Sequence, residues 1–431
     1  MKNAGRFRWV IIGLIAFITI VNYIDRSAIS YAISPIEAAF HMTNSEFGII
    51  GAAFSLGYLP MTFLGGILID LYGVKRVWLV AAILWSAATL LLGLSNGFWW
   101  FFSFRVLLGM SEGPHFPAVV RATSDWLPLK ERAKALSFSL SGATLASLIG
   151  APIVTLLIAS FGWRMMFFVL GGVGVIWAIA AKFLFSNRPE ESKLISKEEL
   201  KLIQGSTPKE QPRLKNIPWK FLFTNPALLI NHITFFTMGY TIFFALTWLP
   251  GFLQQTYNVS LKTAGFLVMI PWLCSFVMMI SSGYLSDWIW RRTQSFRMAR
   301  SNVMWISQLL SVVSFLPIAL FHDLTLTIFF LSLGLGFTFV LYNTLFALNA
   351  DLGKQHMGTA QGIGSGAFAL AGIVSPVLTG YLSDLSGNFN TGIFCLLGFS
   401  MISVLLILFF QHPDKYLQPH LASGNKARES A

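Results

Sequence analysis

Charged residues are scarce in this sequence. Asp, Glu, Lys and Arg make up 11% of the 431 residues, whereas 55% of the residues are apolar. In soluble domains roughly a quarter of the residues are charged. The composition therefore excludes an ordinary water-soluble protein and indicates that lipid is the solvent of this chain.

Cysteine is also nearly absent. Cys274 and Cys395 each lie in the middle of an apolar run, where they suggest neither a disulfide framework nor a metal site. The sequence also lacks a nucleophile constellation, a metal-ligand cluster and a sizeable soluble domain. We therefore expect neither an enzyme nor a receptor, and no cofactor other than protons as a coupling ion.

Long apolar runs are what this sequence has in abundance. Twelve of them are long enough to cross roughly 30 Å of hydrocarbon as helices. Their approximate spans are 9–34, 46–70, 77–95, 98–121, 134–159, 164–186, 227–254, 261–286, 301–321, 324–350, 357–383 and 390–411. The pattern predicts an all-α membrane protein with twelve transmembrane helices.

The basic residues are distributed unevenly between the two sides of the membrane. The net charge is +12, and 26 of the 30 Lys and Arg residues fall on one side of the predicted helices. The positive-inside rule makes that side cytoplasmic and places both termini there, as an even helix count requires. We therefore attribute the charge to membrane topology and expect no nucleic-acid partner. The short external loops suggest a bacterial inner membrane.

One connection is much longer than the others and divides the chain into two halves. We predict an N-terminal six-helix bundle at 1–186, a cytoplasmic linker at 187–226, a C-terminal six-helix bundle at 227–411 and a cytoplasmic tail at 412–431.

The linker contains a predicted short helix. Ser196 and Glu199 have the spacing of a capping box, in which each side chain bonds the other residue's backbone amide. Leu200 and Ile203 continue an apolar stripe, so we expect an amphipathic helix lying on the membrane face. Pro208, Pro212 and Pro218 follow as a spacer.

The two halves repeat one loop signature after their second helices. The first copy is Gly66-Ile-Leu-Ile-Asp70 with Gly73, Lys75 and Arg76, and the second is Gly283-Tyr-Leu-Ser-Asp287 with Arg291 and Arg292. This signature resembles that of the major facilitator superfamily. The resemblance implies two pseudo-symmetric six-helix bundles with a site between them at the membrane midplane.

The acidic residue of the signature has two interpretations. Asp70 is expected either to bond free backbone amides at a helix end or to pair with an arginine of a neighbouring helix, closing the cytoplasmic side. It is equally consistent with a role in topology and packing. Neither interpretation makes it a substrate contact.

Glycines at four-residue spacing predict close helix packing. Gly109 and Gly113 on helix four show this spacing, as do Gly358, Gly362 and Gly366 on helix eleven.

Four ionisable residues lie at membrane depth, all in the first half. They are Asp25 and Arg26 on helix one and Arg105 and Glu112 on helix four. Such residues are costly in a bilayer and are candidates for function by default. The alternative is two internal salt bridges that only hold the helices together, and closure of both pairs to solvent would favour it.

The charges suggest a coupling mechanism. With both acids ionised the cluster is neutral, and with both protonated it carries two uncompensated positive charges. Protonation would therefore raise the affinity for an anion, and a bound anion would raise the affinity for protons by the same factor. This reciprocal coupling is symport.

A more specific resemblance covers nearly the whole chain. The runs Asn22-Tyr-Ile-Asp-Arg26, Phe104-Arg-Val-Leu-Leu-Gly-Met-Ser-Glu-Gly-Pro-His-Phe-Pro117, Trp126-Leu-Pro128 with Glu131-Arg132, and Gly162-Trp-Arg164 resemble the anion:cation symporter family. That family includes importers of galactonate, hexuronate, glucarate and phthalate-type acids, vesicular glutamate transporters and the lysosomal sialic acid transporter.

The resemblance also implies roles for individual residues. It implies that Arg105 and Tyr58 hold the substrate carboxylate, that Tyr23 and Arg26 line the site, and that Asp25 and Glu112 carry the protons.

Other candidates have weaker support. His115 is either part of a proton relay or a packing residue. Trp248, Asn349 and Gln361 supply neutral hydrogen-bonding groups in the second half, which suit the hydroxyls of a sugar acid or simply bridge helices.

The expected function is import of a small organic anion with protons, by a monomer in the lipid bilayer. The alternative is a proton-coupled exporter or facilitator of an amphipathic small molecule. Helix five lacks the Gly-Pro-x-x-Gly-Gly motif of drug antiporters, which argues against efflux. It also lacks the polar amide that some sugar-acid importers carry there, so a hydroxyl-rich substrate is not implied.

The topology prediction is testable with fusion reporters. Reporters placed after Lys193 and after Lys415 should both be cytoplasmic, whereas a reporter at Leu261 should be external. Reporter activity on intact cells measures this. An external linker would contradict the division into six plus six helices.

Overall fold

A computed structural model describes residues 6–204, 219–353 and 356–417. These residues form helices joined by short connections, and no β-strand occurs among them. The all-α prediction is confirmed. Pro208, Pro212 and Pro218, and the tail beyond residue 417, lie outside the described residues.

The described residues form two compact units. The first unit contains the described residues up to 204 together with Asn258–Phe266, and the second contains residues 219–257 and the described residues from Leu267 onward. The helices up to residue 204 are α1 (Phe7–Tyr31), α2 (Ile33–Phe40), α3 (Asn44–Tyr72), α4 (Val74–Gly93), α5 (Phe98–Glu112), α6 (His115–Trp126), α7 (Leu129–Leu184) and α8 (Lys197–Gln204). Those that follow are α9 (Trp219–Thr224), α10 (Pro226–Tyr257), α11 (Leu261–Thr293), α12 (Val303–Leu320), α13 (Leu324–Gly353), α14 (Met357–Ser386), α15 (Asn390–Phe410) and α16 (Asp414–Leu417).

Ten helices among the described residues are long and apolar enough to cross a membrane. The sequence predicts twelve spans, and the difference arises at two places. The fourth span is divided between α5 and α6, of 15 and 12 residues. The fifth and sixth spans are joined in the 56-residue α7.

Local backbone chemistry explains both places. Helix α5 ends at Glu112 because Pro114 lacks the N–H that would continue the hydrogen-bond ladder. In α7, Gly162 has φ +81° and ψ 164°, which is not helical and is accessible to glycine without a side-chain clash. Gly162 therefore separates two predicted spans that the hydrogen-bond pattern joins.

Glycines bring α3 and the fourth span into direct backbone contact. A Cβ added at any of four glycines would collide with the opposite segment. The colliding pairs are Gly57 with Val106, Gly65 with Pro114, Gly109 with Phe54 and Gly113 with Met61. The prediction of close packing at Gly109 and Gly113 is therefore confirmed.

On α14, a different glycine makes the close contact. A Cβ at Gly358 would meet nothing within 4 Å, whereas a Cβ at Gly364 would lie 2.8 Å from the ring of Phe235 on α10. The prediction for Gly358 was wrong because the spacing pattern does not identify which face of α14 meets α10.

The linker helix α8 begins as predicted, but its cap differs. The Ser196 hydroxyl accepts a hydrogen bond from the Glu199 amide at 3.2 Å, which is half of the capping box. The Glu199 carboxylate is instead fully buried against the start of α1, where it accepts from the amides of Phe7 at 3.2 Å and Arg8 at 3.0 Å. Glu199 thus caps α1, and α8 is attached to the first unit through this contact.

The contact between α3 and α5 leads to a stability prediction. Gly109→Ala would place a methyl group against the Phe54 carbonyl, so the two helices would have to separate. We expect a loss of about 1–3 kcal/mol, the usual effect of overpacking, measured as a lower melting temperature in detergent. Gly13→Ala is the control, because nothing lies within 4 Å of a Cβ there. Equal melting temperatures for the two variants would contradict the contact.

Candidate functional site

The four ionisable residues at membrane depth are all buried in the first unit. Asp25 and Glu112 are 0% exposed, Arg105 is 4% exposed and Arg26 is 7% exposed. Solvent is therefore nearly absent around them, and any charge they carry must be compensated by protein groups or by a ligand.

Only one pair forms a salt bridge among the described residues of this cluster. Arg26 Nη2 on α1 donates to Glu112 Oε2 on α5 at 3.2 Å. This closed bridge satisfies one half of the salt-bridge interpretation. The other half does not hold, because Arg105 and Asp25 are not paired with each other.

Arg105 bonds backbone carbonyls instead of a carboxylate. Its Nη1 donates to the Arg26 carbonyl at 3.1 Å and its Nη2 to the Gly51 carbonyl at 3.5 Å. In the described part of the chain, no carboxylate lies within salt-bridge distance of it. Arg105 is thus held in place by neutral groups.

Asp25 is the opposite case, a buried acid without a hydrogen bond or salt bridge to its carboxylate in the described part of the chain. Neither of its carboxylate oxygens has a hydrogen-bond partner among the described residues. Buried polar groups are nearly always bonded, so an unbonded one requires an explanation.

Three aromatic rings surround the Arg26 guanidinium. Its Cζ lies 4.7 Å from the ring centre of Tyr23, 4.5 Å from that of Phe54 and 4.7 Å from that of Tyr58. Tyr23 and Tyr58 are thus next to Arg26, as expected for residues that line one site. Phe54 lies four residues before Tyr58 and hence on the same face of α3, but no sequence motif singled it out.

His115 lies in an aromatic cluster. The Trp78 indole donates to its Nδ1 at 3.3 Å, and Thr19 Oγ1 lies 3.2 Å from its Nε2. Since an indole N–H only donates, the neutral imidazole has its hydrogen on Nε2 and donates it to Thr19. Both ring nitrogens are thus used in hydrogen bonds to buried neighbours, which favours the interpretation of His115 as a packing residue.

In the first loop signature, Asp70 pairs with an arginine. Its carboxylate lies 3.5 Å from Arg121 on α6, and both side chains are more than half exposed. The free amide at the start of α4 is bonded differently, because Lys75 N donates to Asn187 Oδ1 at 2.8 Å. Of the two contacts predicted for Asp70, helix-end amides or an arginine, the structure has the pair with an arginine.

The glycines of this signature differ in backbone conformation and in the space beside them. Gly73 has φ +84° and joins α3 to α4, a conformation that favours glycine. Gly66 has open space beside it, whereas its neighbour Gly65 makes the close contact to Pro114. Arg76 is exposed.

The second signature forms a larger ion cluster. Arg300 lies between Asp287 on α11, at 3.4 Å, and Asp351 at the end of α13, at 3.3 Å. It also bonds the Ser286 hydroxyl. The arginine precedes α12 here, whereas Arg121 lies on the fourth span, so the two signatures are not exact copies.

The neutral candidates of the second unit lie in two separate environments. Trp248 is fully buried and packs against Phe389, with 5.5 Å between ring centres. Asn349 is in an amide network: it accepts from Asn231 at 2.8 Å and donates to Gln361 at 3.2 Å. The network joins α10, α13 and α14, so the helix-bridging interpretation accounts for Asn349 and Gln361.

Membrane-length helices in two units, with ionisable groups buried among them, are typical of secondary transporters. The sequence profile of the Major Facilitator Superfamily matches residues 15–376. This chain belongs to the Major Facilitator Superfamily and is a multi-pass membrane transporter.

Individual relatives agree with this assignment. The chain is 32% identical over 395 residues to a probable sulfoacetate transporter of Cupriavidus necator, covering 90% of each chain. It is 28% identical over 402 residues to a hexuronate transporter of Bacillus subtilis, covering 91% of this chain and 92% of the other. These relatives confirm the resemblance to organic-anion transporters.

The fold matches a crystal structure of a bacterial homolog of the human lysosomal transporter Spinster. The TM-score is 0.83 at 16% identity, and the match covers 96% of this chain and 99% of the other. At this identity the match shows the fold alone, and it confirms the predicted fold class.

Proposed function

We propose that this protein imports a small organic anion together with protons. The observation that carries the proposal is Arg105, a buried guanidinium with no carboxylate partner among the described residues. A buried cation of this kind is stabilised by an anion that binds beside it. The relatives named as sulfoacetate and hexuronate transporters support an anionic substrate.

Arg105 is the proposed anchor for the substrate carboxylate. Its planar guanidinium offers parallel donors that match two carboxylate oxygens. Its present partners are neutral carbonyls, and the longer contact, 3.5 Å to Gly51, is weak. Tyr58 is proposed to bind the same carboxylate, with Tyr23 and Arg26 lining the site.

Asp25 and Glu112 are the proposed proton carriers. Protonation has a different effect on the hydrogen bonds of each acid. Protonation of Asp25 breaks no hydrogen bond, because its oxygens have no partner in the described chain. Protonation of Glu112 weakens the bridge to Arg26 and leaves that guanidinium available to an anion. Proton binding thereby favours anion binding, and the reverse holds by linkage. Each proton that enters in excess of the anion's charge supplies about 2.3 kcal/mol per 100 mV.

The second unit is proposed to contribute neutral contacts. Asn349 and Gln361 have amide groups suited to substrate hydroxyls, and Trp248 offers an apolar surface with one donor. The amide network supports this role only if the substrate replaces one of its bonds.

The loop signatures are proposed to stabilise one state of the transport cycle. The residues concerned are Gly66, Asp70, Gly73, Lys75, Arg76 and Asp287. In each of the ion pairs of Asp70 and Asp287, at least one of the two side chains is exposed to solvent. Each pair therefore contributes little stability and can open during transport. We further propose a monomer in a bacterial inner membrane, with both termini cytoplasmic and no cofactor beyond the coupling protons.

Uptake by proteoliposomes tests the proposed function. Vesicles with an inward proton gradient should accumulate at least one labelled anion from a panel containing sulfoacetate, a hexuronate, galactonate, glucarate, aromatic acids and amino acids. A protonophore should abolish the accumulation. Accumulation that persists without the gradient, or export under it, would contradict proton-coupled import.

Arg105→Lys tests the anchor. Lysine keeps the charge but lacks the paired donors, so we expect binding of the transported anion to weaken by about 1.5–3 kcal/mol, with normal membrane expression. Anion-induced thermal stabilisation of the purified proteins measures this. Arg188→Lys, on an exposed arginine, is the matched control. Equal stabilisation of wild type and Arg105→Lys would contradict the anchor role of Arg105 and would assign the anion site to Arg26.

Glu112→Gln tests proton coupling. Glutamine resembles the protonated acid, so the variant should lose uptake driven by a pH gradient yet retain anion binding and exchange of labelled for unlabelled anion. Glu198→Gln, on the exposed side of α8, is the control and should behave as wild type. Loss of binding as complete as the loss of uptake would make Glu112 a structural or direct-contact residue instead.

A further inference from the structure

Phe54 contacts both arginines of the cluster. Its ring centre lies 4.5 Å from the Arg26 Cζ and 5.1 Å from the Arg105 Cζ. Among the described residues, no other aromatic ring lies this close to both. Of the two arginines, Tyr23 and Tyr58 contact only Arg26.

The contact has an electrostatic consequence. Two guanidinium groups repel each other, and Glu112 forms a salt bridge with only one of them. The face of an aromatic ring carries negative potential and attracts cations, most strongly where water is excluded. Phe54 is 1% exposed, so its ring attracts both cations in a low-dielectric environment.

The backbone fixes the position of this ring. The Phe54 carbonyl lies against Gly109, which is one turn after Arg105 on α5. The ring also stacks on Tyr58, with 5.5 Å between ring centres and 23° between their planes. Helix packing and stacking therefore hold Phe54 at the two arginines, independently of their charge.

We propose that Phe54 is a positioning residue that holds Arg26 and Arg105 close enough to act on one anion. This inference rests on the proposed function in what concerns the anion. Phe54 acts through the two arginines and needs no contact with the substrate. A ring with the same shape and a weaker quadrupole would then fill the site and fail to hold the cations.

Fluorinated phenylalanines at position 54 separate charge from shape, because each added fluorine weakens the ring's attraction for cations with little change in size. In the first arm, no anion is present and the melting temperature is measured. It should fall stepwise from phenylalanine to trifluorophenylalanine, and the fall should be smaller in an Arg105→Gln background. A flat series, or one with the same slope in both backgrounds, would overturn the proposal.

In the second arm, the affinity for sulfoacetate, or for whichever panel anion is taken up, is measured on the same series. Trifluorophenylalanine should weaken binding about tenfold, as expected for the loss of two cation–π contacts. Undiminished binding would overturn the positioning role even if the first arm succeeds. If wild type binds none of the panel anions, the proposed function fails, and the first arm alone decides whether Phe54 holds the arginines.

Phe101 is the matched control. It is fully buried on α5, the helix that carries Arg105, and its ring packs against Phe40 and Trp163. The same fluorinated residues at position 101 should leave the affinity for the anion unchanged. A loss as large as that at position 54 would show that ring packing alone produces the effect, and would overturn the proposal.

Discussion

The ion pair between Arg26 and Glu112 is the contact on which the charge balance at membrane depth in the first unit depends. Two cations and two acids are buried in this cluster, and this bridge is the one salt bridge among the four in the described chain. Breaking such a pair leaves an uncompensated buried charge, at a cost of about 3–5 kcal/mol. The remaining cation, Arg105, is accommodated by backbone carbonyls and by the ring of Phe54.

That balance depends in turn on how closely the helices pack. The glycines between α3 and the fourth span remove the side chains that would keep the backbones apart. Because α3 approaches so closely, Phe54 and Tyr58 reach the guanidinium of Arg26 on α1. Small residues in one helix pair therefore determine the surroundings of a charge on a third helix.

The two units satisfy their polar side chains by different means. The first unit places charges at membrane depth, whereas the second unit has an amide network of Asn231, Asn349 and Gln361. At their ends, however, both units use a carboxylate to cap a distant helix. Glu199 caps α1, and Asp414 accepts from the amide of Phe296 at 2.7 Å, at the start of the π-helical segment Arg297–Asn302 that leads into α12. A carboxylate at a helix start bonds free amides and complements the helix dipole.

The sequence by itself determined the membrane class, the positions of the apolar spans and the identity of the four ionisable residues at membrane depth. Hydropathy and charge act over the length of one segment, so these features are readable from a single chain. Tertiary structure decided which partner each residue has: Glu112 for Arg26, carbonyls for Arg105, α1 for the Glu199 carboxylate, and Phe54 for two cations. Those choices depend on which helix faces meet, and spacing within one helix does not specify its neighbour. For the same reason, the pattern was correct for Gly109 and wrong for Gly358.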